Sequence, residues 1–204
     1  MKKPKIKFTN DSTFKECILN NEFFEVRISE EETCVISDLV IDECIFDNVD
    51  FSNIELNNIE FMDVIFNNCD LSNKNFDRFS FDRVVFNNCK LTGTSFIDAT
   101  LRDVSFNSCK CMYLNFSGSH LNSVSVCDSE FIESYFNYTE MSKIEFDNVK
   151  FNNSEFLGTN LNGIDFRNSD ISDVSFDASS LKGIILNMFQ CREVASVFGI
   201  VVKD

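Results

Sequence analysis

Tryptophan is absent from this 204-residue chain, histidine and proline occur once each, and glycine only six times. With one histidine, His120, no Ser/His/Asp or Cys/His constellation can be assembled. There is also no glycine-rich phosphate loop, no nucleotide motif and no paired carboxylate in a predicted cleft. We therefore expect a non-catalytic protein with no metal and no cofactor. No apolar run approaches the ~20 residues of a membrane span, and the basic start MKKPKIKFTN is followed by no signal-type apolar stretch. The expected location is the cytoplasm, with no membrane partner.

Positive charge is scarce as well. Asp and Glu outnumber Lys and Arg by 33 to 18, a net charge of −15, which repels nucleic acid and favours cationic partners. The nine cysteines are odd in number and accompany no secretory signal, so free buried thiols are expected rather than a disulfide scaffold.

Phenylalanine is in excess, at 24 residues. Stepping by five from Phe46 through Phe51, Leu56, Phe61, Phe66 and Leu71, every position as far as Leu186 is large and apolar, apart from Cys111. Two places before each sits a second series, mostly Cys, Val, Ile, Ser, Thr or Ala, with Lys74 and Phe79 as the clear exceptions. Neither a helix nor a flat strand can keep one face on a period of five, so the chain must turn once per repeat. Asn, Asp and Gly, common two places after the large residue, suit the backbone of a corner.

The stretches FDNVDFSNIELNNIEF, FNNCDLSNKNF and FLGTNLNGIDFRNSDISDVSF resemble the A(D/N)LXX pattern of pentapeptide-repeat proteins, over about three quarters of the chain. The resemblance implies an all-β fold, a right-handed four-sided β-helix with four repeats per coil, so residues twenty apart should stack in columns. One such column reads Leu56, Phe76, Phe96, Phe116, Phe136, Phe156, Phe176; another begins Val49, Cys69, Cys89, Cys109. The cysteine column is read as core packing rather than a metal or redox centre. About seven coils at ~4.8 Å make a rod of roughly 35 Å.

One domain is expected. Residues 1–33 form an irregular first coil and loop, 34–188 the regular helix, and 189–204 a cap of short helix and strand. Phe14 and Leu19 lie out of frame, and the acidic run 29–33 reads as an insertion, either a solvated loop or a partner contact. In the tail, Phe189, Val194, Val197 and Phe198 have helical spacing, Gly199 suits a helix end and residues 200–202 are strand-like. A solenoid end must be covered, and this apolar tail could also join two copies, so Phe189, Val194, Val197, Phe198, Ile200 and Val202 are the candidate homodimer interface.

The tail QCREVASVFGIVVKD further resembles that of the Qnr-type quinolone-resistance proteins. That resemblance implies an acidic DNA mimic whose partner is a type II topoisomerase, DNA gyrase or topoisomerase IV. Residues 44–188 hold 21 acidic and 10 basic residues, a net −11. This is about 0.3 charges per Å against ~0.6 for duplex DNA. The candidate acidic face is Glu130, Glu133, Glu140, Glu145, Asp147, Glu155, Asp165, Asp170, Asp173 and Asp177. Lys74, Arg78, Arg83, Lys90 and Arg102 interrupt the acidic surface nearer the amino end. The alternative is a protein-interaction scaffold unrelated to topoisomerases. Its candidate contact is an outward apolar stripe of Ile45, Ile65 and Val85, either docked by a partner or covered by the amino-terminal segment.

Overall fold

The computed structural model describes residues 1–7, 9–20, 22–29 and 33–203. In chain order the elements are β1 (Asn10–Asp11), α1 (Phe14–Asn20), β2 (Phe23–Phe24), β3 (Val26–Ile28), β4 (Cys34–Asp42), β5 (Ile45–Asp47), β6 (Ile54–Asn67), β7 (Ser80–Asn87), β8 (Thr100–Asn107), β9 (His120–Cys127), β10 (Glu140–Asp147) and α2 (Met188–Val197).

Each repeat turns at the residue two places after its large apolar side chain. Asn48, Asn68, Asn88 and Asn148 there have φ between 51° and 57°, in the left-handed region that Asn, Asp and Gly tolerate best. Those residue types were the expected ones, yet Arg78, Arg83, Tyr113, Glu133, Tyr138 and Lys143 take the same conformation. Each such residue costs on the order of 1–2 kcal/mol, and the bonding of the coils above and below holds it there. Asp and Asn one place before the large residue help, because their carboxyl or amide oxygens accept the N–H two residues on, as Asp70 does from Ser72 at 2.9 Å.

Four corners close a coil in twenty residues. The strands pair in parallel at that offset, Phe61 beside Phe81, Leu101 beside Leu121 and Val104 beside Val124. The four sides are numbered here by their central outward residues. The first side carries Asn75, Ser95, Asn115, Tyr135, Glu155 and Ser175; the fourth carries Asp50, Asp70, Lys90, Lys110, Glu130, Lys150 and Asp170. The second carries Ser80, Thr100, His120 and Glu140, and the third Ile45, Ile65, Val85, Ser105, Ser125 and Glu145.

Inside, the large series is buried except for Met141, Leu181 and Leu186, which are half-buried. Rings stack along the axis at the strand spacing: Phe46 on Phe66 at 5.1 Å, Phe66 on Phe86 and Phe86 on Phe106 at 4.9 Å, the last two pairs within 7° of parallel. Neighbouring columns meet edge to face, as Phe106 meets Phe131 at 90°. Among the described residues the interior is thus filled, coil by coil, by the side chains of the two series.

The small series does more than fill space. On the first and fourth sides a hydroxyl from the next coil serves the N–H of some small residues and the carbonyl of the large residue three places before, whereas Thr94 and Ser154 N–H donate within their own coil to Leu91 O and Phe151 O. Ser134 Oγ donates to Cys111 O at 2.8 Å and accepts Leu114 N–H at 3.3 Å; Ser154 Oγ donates to Phe131 O at 2.6 Å and accepts Ser134 N–H at 2.9 Å. Cys69, Cys89 and Cys109 stand in the same place, each Sγ 3.4 Å from the carbonyl of Phe46, Phe66 or Phe86. These thiols are weak donors at the position where Ser129 is a stronger one.

The amino end departs from the expected insertion. Ile28 pairs with Phe46 and Asp11 with Arg27, so the first coils contain eighteen and sixteen residues rather than twenty. The irregularity is a shortening, although residues 30–32 lie outside the described part. Phe14, on α1, stacks on Phe46 at 5.9 Å and so ends a ring column, whereas Leu19 is exposed.

At the other end α2 covers the last coil. Asn187 caps it, accepting from Phe189 and Gln190 N–H, while Gln190 Oε1 accepts Asn187 N–H. Buried Gln190 Nε2 donates to Phe166 O and Ser169 O at 2.8 Å, occupying carbonyls that a further coil would have used. Gly199 follows with φ 72°, but residues 200–202 form no strand.

Truncating the stack should cost more than exchanging a link. Phe86→Ala is expected to lose about 3–5 kcal/mol in urea unfolding. Cys89→Ser should stay within about 1 kcal/mol, because the hydroxyl finds the same carbonyl. Equal losses would contradict the two roles.

Candidate interaction surfaces

With the core filled, chemistry is confined to the outside. Among the described residues no group of three or more His, Cys, Asp or Glu is placed to hold a metal ion, and no helix is long and apolar enough to cross a membrane. His120 is largely exposed, its Nε2 3.3 Å from Glu140 Oε2, beside an open depression of about 450 Å3 that also touches Arg102 and Met141.

The ten acidic candidates do not share one side. Glu130 and Asp170 lie on the fourth, Glu133 and Asp173 at the corner between fourth and first, and Glu155 on the first. Asp177 sits at the next corner, Glu140 on the second side, Glu145 and Asp165 on the third, and Asp147 at the corner of third and fourth. Several are engaged: Glu130 with Lys150 at 2.8 Å, Asp165 with Arg167 at 2.6 Å, and Glu155 with Asn137 at 2.8 Å. Asp177 accepts from Ser179 Oγ at 2.7 Å, Ser180 N–H at 2.7 Å and Gly158 N–H at 2.6 Å, which hold its carboxyl well below the usual carboxylate range.

Four of the five interrupting basic residues are likewise engaged with the adjacent coil. Arg83 grips Asp63 through Nε and a second nitrogen at 2.6 and 2.7 Å and reaches Asp82 at 2.9 Å. Lys90 pairs with Asp70 at 2.9 Å, Arg78 approaches Asp98 at 4.0 Å, and Lys74 Nζ donates to the carbonyls of Ser52 and Ile54. Twenty-residue spacing of opposite charges is thus a local stitch as much as a surface pattern.

The apolar stripe is half-buried. Ile45, Ile65 and Val85 lie on the third side, where the amino-terminal residues pass, with Met1 Sδ 3.4 Å from Ser125 Oγ. The first side carries something the sequence reading missed. All three tyrosines project there or at its corners: Tyr113, Tyr135 and Tyr138, the last 73% exposed with its ring across Gly158. Their positions modulo twenty would have shown it. From position 92 on, this side and its two corners bear no Lys or Arg.

Of the candidate dimer residues, Phe189 is 76% exposed, and Val197, Phe198, Ile200 and Val202 are exposed too, whereas Val194 packs against the core. Gln190, which closes the coil, went unnoticed in the sequence; the spacing Asn187-x-x-Gln190 was its signal.

A parallel solenoid turning every five residues defines a β-helical repeat protein. Sequence profiles agree: one for a pentapeptide repeat region matches residues 59–136, and one for eight copies of the pentapeptide repeat matches 144–183. The chain belongs to the pentapeptide-repeat family. Among solved structures it is similar to HetL, a pentapeptide-repeat protein involved in heterocyst differentiation regulation from the cyanobacterium Nostoc sp. strain PCC 7120. That likeness has TM-score 0.55 and 14% identity, with 79% of this chain and 83% of that one covered. It is also similar to full-length QnrB1, a plasmid-mediated fluoroquinolone resistance protein, at TM-score 0.44 and 20% identity, covering 88% and 93%. Rfr23 from the cyanobacterium Cyanothece 51142 aligns over 48% of this chain and 60% of that one, at TM-score 0.38 and 11% identity. No curated protein matches the sequence. HetL shares the fold.

Acid should loosen the carboxyl-terminal coils. Asp177 and Asp170 are both held below their ordinary values, Asp177 by Ser179, Ser180 and Gly158, Asp170 by Ser172 ahead of its other partners. A depressed carboxyl contributes stability that is complete above the unfolded value and disappears as pH falls through the folded one. The melting temperature should therefore decline below about pH 4, and Asp177→Asn should flatten the decline. An unchanged profile would remove Asp177 from the account.

Proposed function

We propose that this protein is a non-catalytic acidic rod that binds a type II topoisomerase, DNA gyrase or topoisomerase IV, in place of DNA and protects it from quinolone-like poisons. The observation that carries the reading is a rod whose interior is packed with buried side chains and which bears a net −11 over residues 44–188. At about half the linear charge of duplex DNA, it suits a groove that is basic because it accepts DNA. Glu133, Glu155, Asp173 and Asp177, on the part of the first side and its corners that bears no Lys or Arg from position 92 on, form the contact, with the remaining candidates lending long-range charge.

The protein acts in the cytoplasm as a homodimer joined through α2 and the tail. Exposed Phe189, Val197, Phe198, Ile200 and Val202 on one end are the apolar surface that a second copy would cover. A second reading, a protein-interaction scaffold unrelated to topoisomerases, draws on the three exposed tyrosines, a residue type enriched at protein interfaces that imitation of DNA does not require.

Two measurements test these readings. Purified protein added to gyrase, DNA and a fluoroquinolone at micromolar concentration should reduce drug-induced cleavage, and Glu133→Lys with Glu155→Lys should cancel the effect. No change in supercoiling or cleavage would refute the topoisomerase reading and leave the scaffold. Light scattering should give a dimer that Phe198→Asp converts to a monomer; a monomer from the outset would refute the tail's second role.

A further inference from the structure

The first seven residues lie along the corner between the second and third sides, running against the direction in which the coils advance. Lys2 N–H donates to Asp103 Oδ1 at 2.7 Å and Lys5 N–H to Asp63 Oδ1 at 2.8 Å, while Met1 reaches Ser125. Asp63 and Asp103 are only 4% and 7% exposed, and Ser105 beside them is 3% exposed. Asp63 is also fixed from its far side by the two-point grip of Arg83. These are buried carboxylates, each aimed at a main-chain donor.

The spacing is a match of two repeats. Asp63 and Asp103 are two coils apart, about 9.6 Å along the axis. Lys2 and Lys5 are three residues apart, about 9.3 Å in the polyproline II form that Pro4 favours. An extended segment of three residues per turn therefore presents one N–H to Asp63 and another to Asp103, whatever its side chains. Lys2, Lys3, Lys5 and Lys7 remain exposed over a rod of net negative charge, and Pro4 and Ile6 are half-buried.

We propose that this corner is a docking track for an extended, lysine-rich protein segment of polyproline II type, and that the chain's own first seven residues are its tethered occupant, displaced when a partner supplies such a segment. Main-chain donors make the two hydrogen bonds, so any extended chain with an N–H at every third residue can form them. The lysines supply attraction that salt weakens. The tether gives the internal copy a millimolar effective concentration, so a partner must exceed it in length or charge. This inference depends on the geometry of the corner and not on the topoisomerase reading.

The test uses a fluorescent peptide of sequence MKKPKIK and two proteins, the full chain and one lacking residues 1–7. Anisotropy should show saturable, salt-sensitive binding to the shortened protein, at least about tenfold weaker binding to the full chain, and several-fold weaker binding when Asp103→Asn, which removes the charge of the acceptor, is added to the shortened protein. Equal binding to both proteins, binding indifferent to Asp103→Asn, or no binding to a shortened protein whose circular dichroism is unchanged would overturn the proposal. Should the shortened protein unfold, trypsin cleavage after Lys5 and Lys7 in the full chain gives the readout. Excess unlabelled peptide and Asp103→Asn should each accelerate it several-fold, and an unchanged rate with both would equally overturn the proposal.

Discussion

Every part of this molecule depends on one residue lying over the residue twenty places further on. Parallel backbone pairing at that offset fixes which side chains share a column, and the column then decides what each position must be. Phenylalanine is abundant because a flat ring repeats along the axis at nearly the strand spacing, as Phe46, Phe66, Phe86 and Phe106 show. The same register lets a hydroxyl or thiol of one coil serve the unused backbone groups of the coil before it. Corners at Arg83 or Tyr138, unfavourable alone, are held by bonds on both sides.

The period made most of the fold legible before any coordinates. Large residues every five places gave the coil, and equality at twenty gave its four sides. The ends were less readable because the period stops there. The coil from Ile28 to Phe46 is shorter than twenty residues, which a list of apolar positions cannot distinguish from an insertion without knowing that these two residues pair. The cysteines were read as filler; their bridging role depends on carbonyls that only the backbone geometry reveals. Gln190 looked like a polar residue in an apolar tail, yet its amide is the stopper of the last coil.

The surface is where legibility was poorest, and the reason is physical. The core dictates three-dimensional place but leaves outward residues free, so charge can be written in any pattern. A count of carboxylates overstates what a partner meets, since Glu130, Asp63, Asp70 and Asp165 each have a cation nearby. Glu133, Glu155, Asp173 and Asp177, which have no cation beside them among the described residues, share the first side and its corners with the tyrosines. The basic first seven residues are invisible to any repeat search because they lie across the coils instead of within them.

The central claim, that twenty residues and not five is the working unit, can be tested by insertion. A duplicate of residues 80–99 placed after position 99 should fold with an undiminished cooperative transition and lengthen the rod by about 4.8 Å in X-ray scattering. A duplicate of five residues, 95–99, placed at the same point shifts every later column by one side and should lower the melting temperature sharply. Equal tolerance of the two insertions would contradict the account.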